Sequence, residues 1–153
     1  TGHLVLSTLH TNSAAESVIR LANMGIEPFN LASSLSLIIA QRLARRLCPH
    51  CKIATSPSPT LQQQFHLSSQ QPIYAANPSG CNECTNGYSG RVGIYEVMAF
   101  NSALAEAIMQ RASIHQIESI AQQHGMQTLL QSGIEKLRAG ITSFSELQRV
   151  LYF

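Results

Sequence analysis

Apolar and polar positions follow two different periods along the first third of this chain. Residues 4–7 form a short apolar run between polar segments, which is typical of a buried strand. Ser13 and Glu16 then match a helix-capping box, and apolar residues recur at helical spacing until Gly25. Because the same spacing resumes over residues 28–46, the pattern predicts one strand followed by two helices.

The middle of the chain has a different composition. From residue 48 to about residue 90, Pro and Gly recur among Ser- and Gln-rich clusters, and such a segment has too few apolar residues to fill its own core. A short helix is predicted from Thr60, where Gln63 stands at the offset of a cap, and a strand is predicted over residues 91–97.

The last third of the chain is predicted to be helical. Polar capping residues precede apolar runs of helical period, and Gly140 supplies a stop. The predicted helices cover residues 102–110, 113–124, 128–139 and 143–151.

The composition argues against nucleic-acid binding and against a membrane span. Over 153 residues the formal net charge is only +2, and aromatic residues make up 6% with no Trp. Many phosphates cannot be neutralised by so small a charge, and few rings are available for stacking bases, so we expect no nucleic-acid partner. No apolar run approaches the roughly 18 residues of a membrane span, and no secretory leader is visible, so we expect a cytoplasmic location.

The four cysteines form two pairs of metal-ligand spacing. Cys48 and Cys51 are one Cys-x-x-Cys pair, and Cys81 and Cys84 are the other. Two such turns can close a tetrahedral shell around one structural zinc. Disulfides, or four free core cysteines, are the alternatives, and His50 offers one further ligand atom.

Two other sets of residues have a functional and a structural interpretation. His3 and His10 flank the first predicted strand, where they could contact a phosphate or simply satisfy loop hydrogen bonds. Arg42, Arg45 and Arg46 could reach a neighbouring subunit's nucleotide, but cations at the carboxyl end of a helix are expected from the helix dipole alone.

Several motifs together resemble the hexameric secretion ATPases of type II secretion and type IV pilus assembly. Residues 1–12 are similar to that family's histidine box, and Cys48-Pro49-His50-Cys51 with Cys81 and Cys84 is similar to its tetracysteine zinc motif. The further matching segments are residues 24–29, 41–43, 87–96, 125–129 and 140–143. The resemblance covers nearly the whole chain.

The resemblance implies an α/β remnant of a RecA-like P-loop ATPase core, then a small zinc-binding subdomain and an all-α carboxyl-terminal subdomain. The implied divisions are residues 1–47, 48–97 and 98–153. It also implies that His3 and His10 lie near the nucleotide, and that Cys48, Cys51, Cys81 and Cys84 hold one structural zinc. No Gly-x-x-x-x-Gly-Lys-Ser/Thr phosphate loop occurs in the sequence, so we expect no ATP hydrolysis by these residues alone and no catalytic residue among them.

The implied parent is a cytoplasmic ATPase, peripheral to the bacterial inner membrane, that uses ATP and Mg²⁺ to power pilus assembly or protein secretion. Its implied partners are the other subunits of a homohexameric ring and an inner-membrane platform protein, with contact to the membrane only through partners. The alternative hypothesis is a free-standing zinc-ribbon module that binds another protein and has no ATPase activity.

Overall fold

The computed structural model describes residues 2–153, which form two compact units. The first unit combines residues 2–40 with Glu96–Met126, and the second combines Gln41–Tyr95 with Gln127–Phe153. In chain order the elements are α1 (Ala14–Asn23), α2 (Pro28–Ser34), β1 (Leu37–Leu47), β2 (Ile53–Thr55), α3 (Pro59–Phe65), β3 (Ile73–Ala75), β4 (Tyr88–Ala99), α4 (Ser102–Met109), α5 (Ile114–Gln123), α6 (Leu129–Arg138) and α7 (Phe144–Leu151).

The first unit is built from helices. α2 packs on α4, and α5 packs on both α1 and α4. α1 begins at Ala14 because two acceptors satisfy its first free N–H groups: the Ser13 hydroxyl accepts from the Glu16 N–H at 3.1 Å, and the buried Glu96 carboxylate accepts from the Ala14 N–H at 2.7 Å. Val18, Leu104 and Ile117 are among the apolar side chains that are buried in this unit.

The second unit contains α3, a small sheet, and the helices α6 and α7 that pack on that sheet. β2 pairs antiparallel with β3, and Ala54 lies opposite Tyr74. α6 and α7 pack closely because Gly133 faces α7, where a Cβ would lie 3.1 Å from the side chains of Leu147 and Leu151. Both helices begin at capping residues, Thr128 and Ser143.

β1 and β4 pair into a two-stranded ribbon. The Phe100 N–H donates to the Ser36 carbonyl at 3.1 Å, and the Cys48 N–H donates to the Gly87 carbonyl at 2.9 Å. Because the start of one strand lies beside the end of the other, the two strands are antiparallel.

The predicted strand at residues 4–7 is wrong. The segment from residue 2 to residue 12 contains no helix or strand, and the side chains of Leu4, Val5 and Leu6 are 85%, 78% and 89% exposed. A core strand requires hydrogen-bonded neighbours and a covering layer, and no such layer covers these residues within the part of the chain that the structure describes.

The predicted helix over residues 28–46 is only partly right. α2 stops at Ser34, and the rest of the segment is strand β1. The buried residues of β1 are Ala40, Ala44 and Leu47, whose spacing of four and three also fits a helix. The pairing with β4 therefore makes this segment a strand. The spacing of its apolar residues alone could not distinguish a strand from a helix.

The other predicted elements are confirmed, with small differences at their ends. α1, β4 and the four helices from α4 to α7 all occur where their capping and periodic patterns indicate. α3 begins at Pro59 because its cap is Ser58, two residues before the predicted cap Thr60, and the Ser58 hydroxyl accepts from the Leu61 N–H. Residues 2–153 therefore form a small α/β structure with seven helices and two antiparallel strand pairs.

The RecA-like remnant and the three divisions at residues 1–47, 48–97 and 98–153 stay predictions. Among the residues described, no helix has both the length and the apolar character needed to cross a bilayer.

Candidate functional site

The four cysteines converge in the second unit. Cys48 follows β1 directly, Cys51 lies in the turn before β2, and the other two precede β4. All four sulfur atoms lie within 4.8 Å of one another. The Cys48 and Cys81 sulfurs are 3.7 Å apart, those of Cys51 and Cys84 are 3.6 Å apart, and those of Cys81 and Cys84 are also 3.6 Å apart.

These distances fit a tetrahedral metal site. Four sulfurs that each lie about 2.3 Å from a central ion would be about 3.8 Å from one another. A disulfide would instead bring two sulfurs to about 2.05 Å, and all four cysteines are free. The group is therefore positioned to bind one metal ion, and the disulfide alternative is not the arrangement of this structure.

Backbone hydrogen bonds hold both Cys-x-x-Cys turns in place. The Lys52 N–H donates to the Cys48 carbonyl at 3.1 Å, and the Cys84 N–H donates to the Cys81 carbonyl at 3.2 Å. The Cys81 N–H also donates to the Cys84 sulfur at 3.2 Å. Such bonds direct the sulfurs inward, and a bond to sulfur favours the thiolate.

The loop that follows the second Cys-x-x-Cys turn requires glycine at position 87. Its φ is +80°, and a Cβ there would lie 2.6 Å from the backbone N and O atoms of Asn77. A side chain at this position would therefore push apart the loop that carries Cys81 and Cys84.

The thiols differ in acidity. Burial, followed by hydrogen bonds with the Cys84 and Cys81 thiols, raises the pKa of Cys51 to about 12. Burial also acts against the Cys84 thiolate, but the Cys81 N–H and the neighbouring thiols outweigh it and lower the pKa of Cys84 to about 7. The Cys84 thiol is thus more acidic than the Cys51 thiol, and a bound cation would favour the thiolate form of both.

The other residues that were predicted to bind the metal or to contact a nucleotide lie outside the cysteine group. His50 is exposed, and its ring nitrogens are not part of the close group of ligand atoms. His3 and His10 are exposed within the segment that has no helix or strand. Their proximity to a nucleotide stays a prediction.

A buried carboxylate between two arginines was not predicted. Glu146 on α7 is fully buried, and its Oε2 atom accepts from Nη2 of Arg45 at 2.7 Å while its Oε1 atom accepts from Nη2 of Arg149 at 2.6 Å. The Arg45 guanidinium also lies 4.0 Å from the centre of the Tyr88 ring. The interpretation of Arg42, Arg45 and Arg46 as cations of a helix end is wrong, because all three lie on β1.

The two arginines determine the ionisation of Glu146. Burial alone would raise the pKa of this carboxyl, but hydrogen bonds from Arg149 and Arg45 outweigh burial and lower the pKa to about 2. The same pairing raises the pKa of both guanidiniums. The carboxylate therefore stays charged at neutral pH.

Comparison with known proteins gives a consistent result. A family model described as "Type II/IV secretion system protein" matches residues 1–149. The chain is 49% identical over 152 residues to the type IV pilus assembly ATPase PilB of Pseudomonas aeruginosa, covering 98% of this chain and 27% of that protein. It is 46% identical over 154 residues to PilB of Myxococcus xanthus, covering 96% of this chain and 27% of that protein.

A relative from a type II secretion system is nearly as similar to this chain. The type II secretion system ATPase E of Vibrio cholerae is 42% identical over 154 residues, covering 98% of this chain and 30% of that protein. The chain thus spans less than a third of the length of these relatives.

Proposed function

Because this chain belongs to the type II/IV secretion system protein family, we propose that it is part of an ATPase that powers type IV pilus assembly or type II protein secretion. The observation that carries the proposal is the near-complete match of these residues to a pilus assembly ATPase, at 49% identity over 98% of the chain. The cysteine group supports it, because its spacing is that of the assembly and secretion branches that the sequence resembles.

The metal in this proposal is one structural zinc. Four thiolates suit zinc and close its coordination shell, so no open position is left for water or substrate. Cys48, Cys51, Cys81 and Cys84 would hold it, and the ion would tie the end of β1 to the loop before β4. The energy of metal binding would then stabilise a part of the second unit that has few apolar side chains.

Nucleotide contact is the role proposed for His3 and His10. Both imidazoles are exposed, so they are accessible to a phosphate supplied by the rest of the ATPase. A histidine in this role donates a hydrogen bond to the terminal phosphate and so transmits the nucleotide state to the helices that follow. This is contact and sensing, because no phosphate loop occurs in the sequence to support hydrolysis.

The partners and location follow from the same proposal. The whole ATPase would act as a homohexameric ring on the cytoplasmic side of the inner membrane, where it would move a platform protein. Contact with the membrane would be indirect, in keeping with the low net charge of +2.

Two chimeric proteins test the proposal. In one, this chain replaces the matching segment of PilB of Pseudomonas aeruginosa, and in the other it replaces that of the type II secretion ATPase of Vibrio cholerae. We expect at least one chimera to restore pilus assembly or secretion to a strain that lacks the native ATPase. Two abundant, hexameric chimeras that both fail to do so would contradict the proposal and would favour the protein-interaction module.

A substitution in the same chimera tests the nucleotide contact. His10→Ala should lower kcat for ATP hydrolysis at least about tenfold, because one hydrogen-bond donor to the reacting phosphate is removed. His115→Ala, which removes an exposed histidine of α5, is the matched control and should leave the rate unchanged. Equal rates for the two variants would contradict the role of His10.

A further inference from the structure

A cleft in the second unit gathers three arginines that the proposed function does not use. Its volume is about 420 Å³, and its lining includes Arg45, Arg91 and Arg149 together with Tyr88, Thr85 and Asn86. The side chains of Arg45 and Arg149 are 46% and 57% exposed, and Arg91 is exposed, so solutes can reach all three guanidiniums.

The cleft carries an excess of two positive charges. Its described lining contains three guanidiniums and no carboxylate. The nearest compensation is Glu146, which is shared by Arg45 and Arg149 and contributes one negative charge. A concave wall with charge of one sign raises the local concentration of ions of the opposite sign.

Much of the hydrogen-bonding capacity of these arginines remains available. Arg45 and Arg149 each use Nε and Nη2 on Glu146. Within residues 2–153, the Nη1 groups of both arginines and the whole Arg91 guanidinium donate to no other side chain. Because the Glu146 pairs and the Tyr88 ring fix two of the guanidiniums, little side-chain entropy would be lost when a ligand binds.

We propose that this cleft is a binding site for a phosphate-type dianion. The excess charge of +2 matches a phosphate group, which carries nearly two negative charges at neutral pH, whereas one carboxylate would neutralise only half of it. The guanidinium fork also matches two oxygens of a phosphate. Asn86 and Thr85 place further polar groups on the same lining.

The cleft would recognise a charged phosphate group, and two kinds of ligand carry such a group in solution. One is a free inorganic phosphate, and the other is the phosphate chain of a nucleotide. The one aromatic ring among the described lining residues, that of Tyr88, lies against the Arg45 guanidinium, so the phosphates are the part that the cleft would bind in either case.

Nuclear magnetic resonance titration of the 153-residue chain with inorganic phosphate tests this site. We expect saturable shifts of the Asn86, Gly90 and Arg91 amides. Arg91→Ala should weaken binding about tenfold, because one charge-assisted contact is lost without touching Glu146. Arg91→Lys should restore only part of the affinity, because it keeps the charge and loses the fork.

Arg46→Ala is the matched control. It removes the same charge from an exposed position of β1 that does not line the cleft, so the affinity should change less than about twofold. An equal loss in Arg46→Ala and Arg91→Ala, or tighter binding of acetate than of inorganic phosphate, would overturn the proposal. So would shifts that do not saturate.

A parallel titration with ADP distinguishes the two sources. Shifts of the same amides at equal affinity would support the site with a nucleotide as its ligand. Shifts with inorganic phosphate alone would support it with free phosphate as the ligand, and shifts with neither would overturn it.

Discussion

Glu146 makes contacts with two elements, its own helix α7 and strand β1. Its N–H completes the cap of α7 by donating to the Ser143 hydroxyl at 3.2 Å, as the Ser143 and Glu146 spacing predicts. Its carboxylate does not turn back to the cap, as a full capping box would require. It binds Arg45, a residue 101 positions earlier in the chain, and Arg149 on its own helix. Local sequence patterns contain no information about the first of these contacts.

Replacing this carboxylate gives a prediction with a defined pH dependence. Glu146→Gln should lower the free energy of unfolding by about 2 kcal/mol at pH 7, because two half-exposed arginines lose their shared partner. The folded pKa of about 2 lies below the ordinary value of 4.5, so the contribution is complete above pH 4.5 and is lost as the pH falls towards 2. Urea unfolding of both proteins between pH 7 and pH 2.5 measures the difference.

The difference between the two proteins is the informative quantity, because metal loss at low pH affects both of them. Glu106→Gln, which changes an exposed carboxylate of α4, should alter the free energy of unfolding by less than about 0.5 kcal/mol. A gap between wild type and Glu146→Gln that stays constant down to pH 2.5 would contradict this account of the ion pairs.

At the scale of elements, local signals were sufficient for most helices and insufficient for the strands. α5 and α6 each begin with a complete capping box, in which Ser113 pairs with Gln116 and Thr128 pairs with Gln131. β1 has no such local signal, since its helical spacing of apolar residues is overruled by pairing with β4. Residues 4–7 have the sequence of a strand but no strand partner within the described residues. Strands depend on distant neighbours, whereas helix caps depend on residues three positions away.

The last residue before β4 and the start of β4 supply a prediction about two glycines. Gly87 and Gly90 both have positive φ, +80° and +76°, but only a Cβ at Gly87 would meet other atoms. Gly90→Ala should cost about 1 kcal/mol, the usual penalty for a side chain in the left-handed region. Gly87→Ala should cost about 3 kcal/mol or more and weaken metal binding, because it adds a clash with Asn77 beside the bond from the Cys48 N–H to the Gly87 carbonyl.

Thermal unfolding measures the melting temperatures of the two glycine variants, and chelator competition measures their metal affinities. Because the backbone strain is similar at both positions, the difference between them reports the steric contact alone. Equal melting temperatures and equal metal affinities would show that the Gly87 loop does not shape the cysteine site.

At the scale of the whole molecule, the candidate site was predicted better than the fold around it. Two Cys-x-x-Cys pairs are sufficient to predict one four-sulfur group, and the structure brings all four sulfurs within 4.8 Å of one another. The arginine cleft escaped prediction because its members come from β1, β4 and α7, which are distant in sequence. The two units also combine non-adjacent stretches of chain, an arrangement that no local pattern reveals.

X-ray absorption at the zinc edge, together with the metal content of the purified chain, measures whether these four sulfurs bind one zinc ion. We predict about one zinc per chain, with four sulfur neighbours at about 2.3 Å. Cys81→Ser should lose one sulfur neighbour or the metal itself, whereas His50→Ala should leave the spectrum unchanged. A metal content near zero in reduced protein, or a shell that contains nitrogen from His50, would contradict the account.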